Sequence, residues 1–491
     1  MTRARSPMNW MLPLLVMVCM LLVGCGGGGI ADLAAGGQGG TGVTGGGQGG
    51  TGMSAGTVTA FGSIHVNGVR YDTSQAEIFV EGQSQGFGDG AVQTSLAVGM
   101  VVRVEGNFED SENGTADRVY FNDDLRGLVE TGSFQEIDSL TSKLVVLGKT
   151  VVINEFTNVV GIAIDSGIEG EWIQVSGFED AEGRLNATFV TGITNSGGAN
   201  LKGTITAVDP PNFIITINGI DISYLNAAPI DPDPFAVGQL VEVTGDYSSG
   251  AAAVDADNIT WVDFLGADDI DFIELEGIVS NKTSDTEFSL NGVPVILNAQ
   301  TIYSGGDAGD AAEDVRIEVE GQLIDGVVHA ETVIFLDFAK VEADVAANTA
   351  SVISLHGLMD IPIRCNDLTK VTGAVTAVAD IDNTLHVKII GRRLSPMESE
   401  TVLAVHIITL SPLNDKVILQ GALEGNPPAD PSSITLLDHD VDISAVPDDS
   451  FESPGGVGYA AFHASTQAGD IVSAKGTRSG GIVTWQSMTV E

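Results

Sequence analysis

Across 491 residues, 21 Lys and Arg face 66 Asp and Glu, a formal net charge of −45. That balance excludes affinity for a nucleic-acid backbone, which rests on cations displacing phosphate counterions. Hydrophobic residues make up 43% of the chain, enough to build cores and too many for disorder throughout, and the 62 Gly lack a three-residue period, which excludes collagen.

The first element is a processing segment. Arg3 and Arg5 precede Met11 to Val23, an apolar run of 13 residues broken by Pro13, too short for a spanning helix of about 20 residues. The run ends in Leu22-Val23-Gly24-Cys25, which resembles the lipobox of bacterial lipoproteins. The resemblance implies a signal peptide over 1–24, cut before Cys25, which becomes the lipidated first residue. A plain secretory signal or an uncleaved anchor is the alternative. The usual inner-membrane retention signal, an Asp after the cysteine, is replaced by Gly26. For a Gram-negative source this implies the outer membrane, reached through a lipid anchor, with the chain facing periplasm or cell exterior. Cys19 would be discarded and Cys25 acylated, which leaves Cys365 alone and no internal disulfide.

A tether over 25–56 follows. Sixteen of the 31 positions from 26 to 56 are Gly, and Gln38-Gly39-Gly40-Thr41-Gly42 recurs as Gln48-Gly49-Gly50-Thr51-Gly52. Such a segment loses much backbone entropy on ordering and offers little to bury, so a flexible coil is expected.

The chain then repeats. One strand pattern closes on Gly106, Gly177, Gly245, Gly321, Gly391 and Gly476, at spacings of 71, 68, 76, 70 and 85 residues. Gly99, Gly170, Gly238 and Gly469 open four of the copies. The spacing divides the chain into units over 57–124, 125–195, 200–264, 273–337, 340–411 and 415–491, the last two divergent. Hairpin turns at Asn67-Gly68, Leu147-Gly148, Asn218-Gly219 and Asn291-Gly292 hold one place in units one to four. Apolar residues alternate with period two, which predicts an all-β protein.

Five short strands per unit, bent near Gly62 in the first, predict six small OB-like β-barrels in series. Another small barrel or roll, or paired sandwiches, are the alternatives. A 70-residue unit has a modest core, so neighbours are expected to share interfaces. Gly56-Thr57-Val58-Thr59-Ala60-Phe61-Gly62-Ser63-Ile64, with Val66-Asn67-Gly68-Val69 and Tyr71-Asp72-Thr73, resembles an uncharacterised bacterial family, the domain of unknown function 5666. The resemblance is strong in unit one, fair in two to four and poor in five and six. It implies a secreted or surface β protein and supplies no catalytic residues.

The search for chemistry returns little. No Gly-x-Ser-x-Gly elbow and no phosphate-binding Gly-Lys-Ser/Thr loop occurs. Asp110, Glu112, Asn113 and Asp117 form one acidic group, and Asp255, Asp257 and Asn258 another. Neither has EF-hand spacing, and solvated carboxylates are expected rather than calcium. Asp231-Pro232-Asp233-Pro234 reads as a stiff acidic loop. Trp172, Trp261 and Trp485 lie within strand patterns and are expected in cores rather than on a sugar platform. Unit five carries Cys365, His356, His386 and His406, a soft-metal donor set. Parity turns His386 outward with Lys388, so surface histidines and a buried, inert thiol are expected, with no metal and no cofactor. The expectation is a non-enzymatic, lipid-anchored envelope protein with a structural, adhesive or assembly role. Its rival is an extracytoplasmic protein that binds a polysaccharide or a metal ion, with a protein or glycan partner.

Overall fold

The computed structural model describes residues 51–490 apart from 110–112, 195–197, 228–234, 249–252, 263, 267–269, 337–338 and 395–400. The expected signal peptide, Cys25 and most of the tether lie outside the described residues. So do Asp110, Glu112 and the Asp231 to Pro234 loop.

Strands dominate. The only α-helices among the described residues are Gly88–Ser95 and Tyr459–Ser465. The strands group over 51–121, 125–193, 199–261, 270–335, 339–410 and 416–490, called barrels 1 to 6 here. Barrel 1 starts earlier than the composition suggests. Thr51–Phe61 is one continuous strand, so residues 51–56 belong to the barrel and not to the tether.

Barrel 1 shows the plan. Its first strand, Thr51–Phe61, pairs with Ile64–Val66, and that strand pairs with Val69–Asp72. Val69–Asp72 runs parallel to the last strand, Asn113–Phe121, which pairs with Val101–Phe108, and Val101–Phe108 returns to the first strand. The cyclic order is first, second, third, fifth, fourth, with the third and fifth parallel. This is the order of an OB-type Greek-key barrel, in which closure removes sheet edges. Barrels 3, 4 and 5 close through the same ladder, and barrel 2 through the single bridge Val129–Val146. In barrel 6 the hairpin Ser433–Leu436 and His439–Asp442 joins by one bridge, Leu423–Leu436.

Local chemistry explains the recurring residues. Asn67-Gly68, Asn218-Gly219 and Asn291-Gly292 have both φ angles between +52° and +80°, the turn whose twist matches a hairpin. Each closing glycine sits at a bulge between the fourth and fifth strands. A Cβ at Gly106, Gly177, Gly245, Gly321 or Gly391 would stand 2.0 to 2.2 Å from a backbone oxygen of the facing strand. The residue opposite is Ala116, Ala187, Ala256, Ala330 or Ala404 in those five barrels. The bulge brings two backbones too close for any side chain. Glycine is required there by space, not by φ.

The barrels are not independent beads in series. First strands pair across barrel boundaries. Arg126 and Leu125 of barrel 2 face Asn200 and Leu201 of barrel 3, and Lys340 to Glu342 of barrel 5 face Gln420 to Ile418 of barrel 6. Barrel 1 skips two neighbours: Gly52 to Ala55 run parallel to Phe272 to Leu275 of barrel 4. Three sheets therefore each join two barrels. One apolar cluster runs through barrels 2 and 3 and another through barrels 5 and 6, while Met53 and Ala55 of barrel 1 sit in the barrel 4 core. A core of about 70 residues is small, and sharing first strands enlarges it.

Candidate functional site

In a shared first strand, side chains that point out of one barrel are covered by the next. Polar groups at those positions end in seams, and three places between barrels hold the charged clusters described here.

The seam between barrels 1 and 4 is carboxylate-rich. Glu276 accepts from the Thr57 amide at 2.6 Å and from Arg316 Nε at 2.6 Å, so it is neutralised. Its neighbour Glu274 accepts from the Tyr71 hydroxyl of barrel 1 at 3.1 Å. Glu274 stands across the ladder from Glu320, and Glu276 across from Glu318. Burial, then mutual repulsion, pushes the Glu274 and Glu318 carboxyls well above the usual carboxylate range. Burial raises Glu320 as well.

The junction of barrels 2, 4 and 5 turns on Lys370. Its Nζ lies 3.0 Å from Glu182 and 2.7 Å from Glu313, with Asp314 at 3.6 Å. Burial lifts the Asp314 carboxyl to about 6 even with that lysine beside it. Asp180 is held by Arg184 and Asn186, at 2.7 and 2.8 Å. A cavity of about 60 Å³, lined by Asp180, Arg184, Asp314, Arg392 and Leu403, lies at this junction. It has room for a few waters and is far below the several hundred Å³ of a typical small-molecule pocket.

The barrel 5–6 seam holds His386. Its Nδ1 is 2.8 Å from Asp344 and its Nε2 3.2 Å from Glu342. Burial opposes a charge on this ring, but the two carboxylates outweigh it and hold the pKa above the usual histidine value. Lys416 and Arg478 of barrel 6 complete the cluster on Glu342 and Asp344. A cationic imidazole between two acids is a structural clamp and has no free nitrogen for a metal.

The expected surface histidines are thus corrected in two cases. His386 is outward from barrel 5, as parity requires, yet fully covered by barrel 6. His406 is also buried, with Nε2 at 2.8 Å from the Thr372 hydroxyl and Nδ1 at 3.1 Å from the Glu313 carbonyl. Burial lowers its pKa. His356 is exposed. Cys365 is buried in the barrel 5–6 core, and burial pushes its thiol up to about 12, which makes it inert. The structure does not bring these four donors together. Asp255, Asp257 and Asn258 stay exposed along one strand and form no metal-ligating group among the described residues.

The tryptophans also divide. Trp485 is buried and Trp172 half-buried, but Trp261 is 38% exposed, contrary to a core position. It ends a row of four aromatics on barrel 3, Phe213, Tyr224, Phe235 and Trp261, with successive ring centroids 5.7, 5.1 and 5.7 Å apart. Alternation alone places Trp261 with Ile259 inside. At the strand end it leaves the barrel and packs edge-on against Phe235. The signal was the loop aromatics near both partners, which strand parity does not weigh.

Residues 55–119, 131–191 and 276–333 match a family described as Domain of unknown function (DUF5666). These segments fall within barrels 1, 2 and 4, whereas barrel 3 keeps the same strand order outside them. No curated protein matches the chain. The chain is thus a β-barrel repeat protein, three segments of which match the domain of unknown function 5666.

Proposed function

We propose that this chain is a lipid-anchored, non-catalytic repeat protein of the bacterial outer membrane, with a structural, adhesive or assembly role. The observation that carries the reading is the joining of barrels by shared first strands and by buried ion pairs such as Lys340–Asp310. Such joints resist relative motion, which suits a load-bearing or presenting body better than a hinge-closing enzyme. The lipobox at Leu22 to Cys25 and the Gly-rich segment behind it support an anchor with a spacer. The test is fractionation of cells expressing the Cys25→Ala chain. Release into the soluble fraction and loss of metabolic acyl labelling are expected. Retention on membranes after a salt wash counts against the anchor.

A second reading, capture of an extracytoplasmic polysaccharide, is favoured by the aromatic row on barrel 3. Exposed rings stack on the apolar faces of sugars, and OB-type barrels bind oligosaccharides. Retention on a glycan array that falls at least tenfold in Trp261→Ala would support it, and equal retention by both chains would remove it.

A further inference from the structure

The seam between barrels 1 and 4 contains buried acid that no base balances. Glu274, Glu318 and Glu320 each place a carboxylate oxygen within 4.8 Å of the other two. Arg316 is committed to Glu276, and among the described residues no cationic side chain pairs with the trio. Glu318 is only 3% exposed, and its Oε1 accepts no hydrogen bond. A buried, unpartnered carboxylate oxygen is strongly disfavoured unless a proton or a cation joins it.

We propose that Glu274, Glu318 and Glu320 bind one divalent, oxygen-seeking cation, calcium, in the seam between barrels 1 and 4. The donors are all oxygens, which selects a hard ion over zinc or copper. Three carboxylates supply up to six oxygens, and calcium accepts six to eight in irregular geometry where magnesium demands an octahedron. The Tyr71 hydroxyl on Glu274 makes barrel 1 part of the site. The ion would therefore fasten the barrel pair that is not consecutive in the chain. This inference is independent of the anchor and of any envelope role.

Glu274 is separated from Glu318 and Glu320 by 44 and 46 positions, and cross-strand pairing brings them together. The competing state is a neutral cluster in which protons replace the ion.

The test uses the purified full chain, stripped with EDTA and titrated with CaCl2 by calorimetry. One stoichiometric site per chain and a Tm rise of several degrees are expected, above the weak, diffuse binding of surface carboxylates. Glu318→Gln, which mimics the protonated acid and preserves shape, should weaken that site more than tenfold. Glu320→Gln, at a less buried position, should do the same and guards against misfolding of the first variant. Terbium substituted for calcium should luminesce through Tyr71, and Tyr71→Phe should dim it with calcium binding retained. A stripped chain with only diffuse binding overturns the proposal. So does stoichiometric binding unchanged in both Gln variants, or terbium emission indifferent to Tyr71→Phe.

Discussion

Lys370 Nζ in barrel 5 donates to Glu182 in barrel 2 at 3.0 Å, across 188 residues of sequence. The same ammonium donates to Glu313 of barrel 4 at 2.7 Å, so one side chain holds three barrels. Neighbouring carboxylates hold its pKa above the usual lysine value despite burial.

Removing that ammonium leaves Glu182, Glu313 and Asp314 facing one another. Lys370→Met should cost roughly 1–3 kcal/mol, below the full penalty for breaking a buried pair because Glu182 and Glu313 are partly solvated. Denaturant unfolding of the full chain measures it. Lys370→Arg should recover most of the loss, and an unchanged midpoint in Lys370→Met would show that the junction is held by apolar contacts.

The bulge glycines give a steric prediction. Gly177→Ala and Gly245→Ala place a Cβ at 2.2 and 2.1 Å from the Asn186 and Asp255 carbonyl oxygens. Each should destabilise by about 2–4 kcal/mol, because the bulge must open. Gly90→Ala, in a short helix with nothing within 4 Å, is the control. It should be neutral or stabilising by up to about 1 kcal/mol. Chemical denaturation of the three variants separates space from backbone freedom.

His386 predicts a pH dependence with a definite sign. Its folded pKa is raised, so its contribution is present below about 6.5 and is lost as pH rises through the folded pKa. Its partners Glu342 and Asp344 are held below their usual range, because hydrogen bonds and cations outweigh burial. Their contribution is present above about 4.5 and lost as pH falls through their folded pKa. The Tm difference between parent and His386→Asn should peak near pH 5–6 and shrink toward pH 9. A difference that grows with pH would mean that the ring is neutral.

The acid trio between barrels 1 and 4 titrates in the same sense as His386 and opposite to Glu342 and Asp344. Its carboxyls are raised in the fold, so in EDTA their contribution is present below about 4.5 and lost as pH rises through the folded values. Acidifying stripped protein from pH 8 toward 5 should therefore raise Tm, and Glu318→Gln should reduce that slope.

Shared first strands predict how cleavage behaves. A protease site engineered at 195–197 should leave barrels 2 and 3 associated after cutting, since the Leu125–Leu201 ladder and a common core remain. Co-elution of both fragments on gel filtration checks it. Separate elution of the N-terminal fragment, with barrels 1 and 2, from the C-terminal fragment would restore the picture of separate beads.

What the sequence determined by itself is what local chemistry dictates. Period-two alternation names the strands, Asn-Gly names the hairpins, and the closing glycines mark the bulges, because each depends on a few neighbouring backbone angles. Parity even turned His386 out of its own barrel correctly. Only tertiary structure decided what covers an outward face. Thr51 to Gly56 reads as spacer because its pairing with Phe272 to Leu275 and with Val102 to Asn107 is invisible from within a Gly-rich run. The choice of barrel 4 as partner for barrel 1, the burial of His386 and His406 and the meeting of Glu274, Glu318 and Glu320 all follow from contacts between distant segments. An exposed strand edge accepts hydrogen bonds from any other, so its partner is set by the shape and charge of whole barrel faces, which no local spacing encodes.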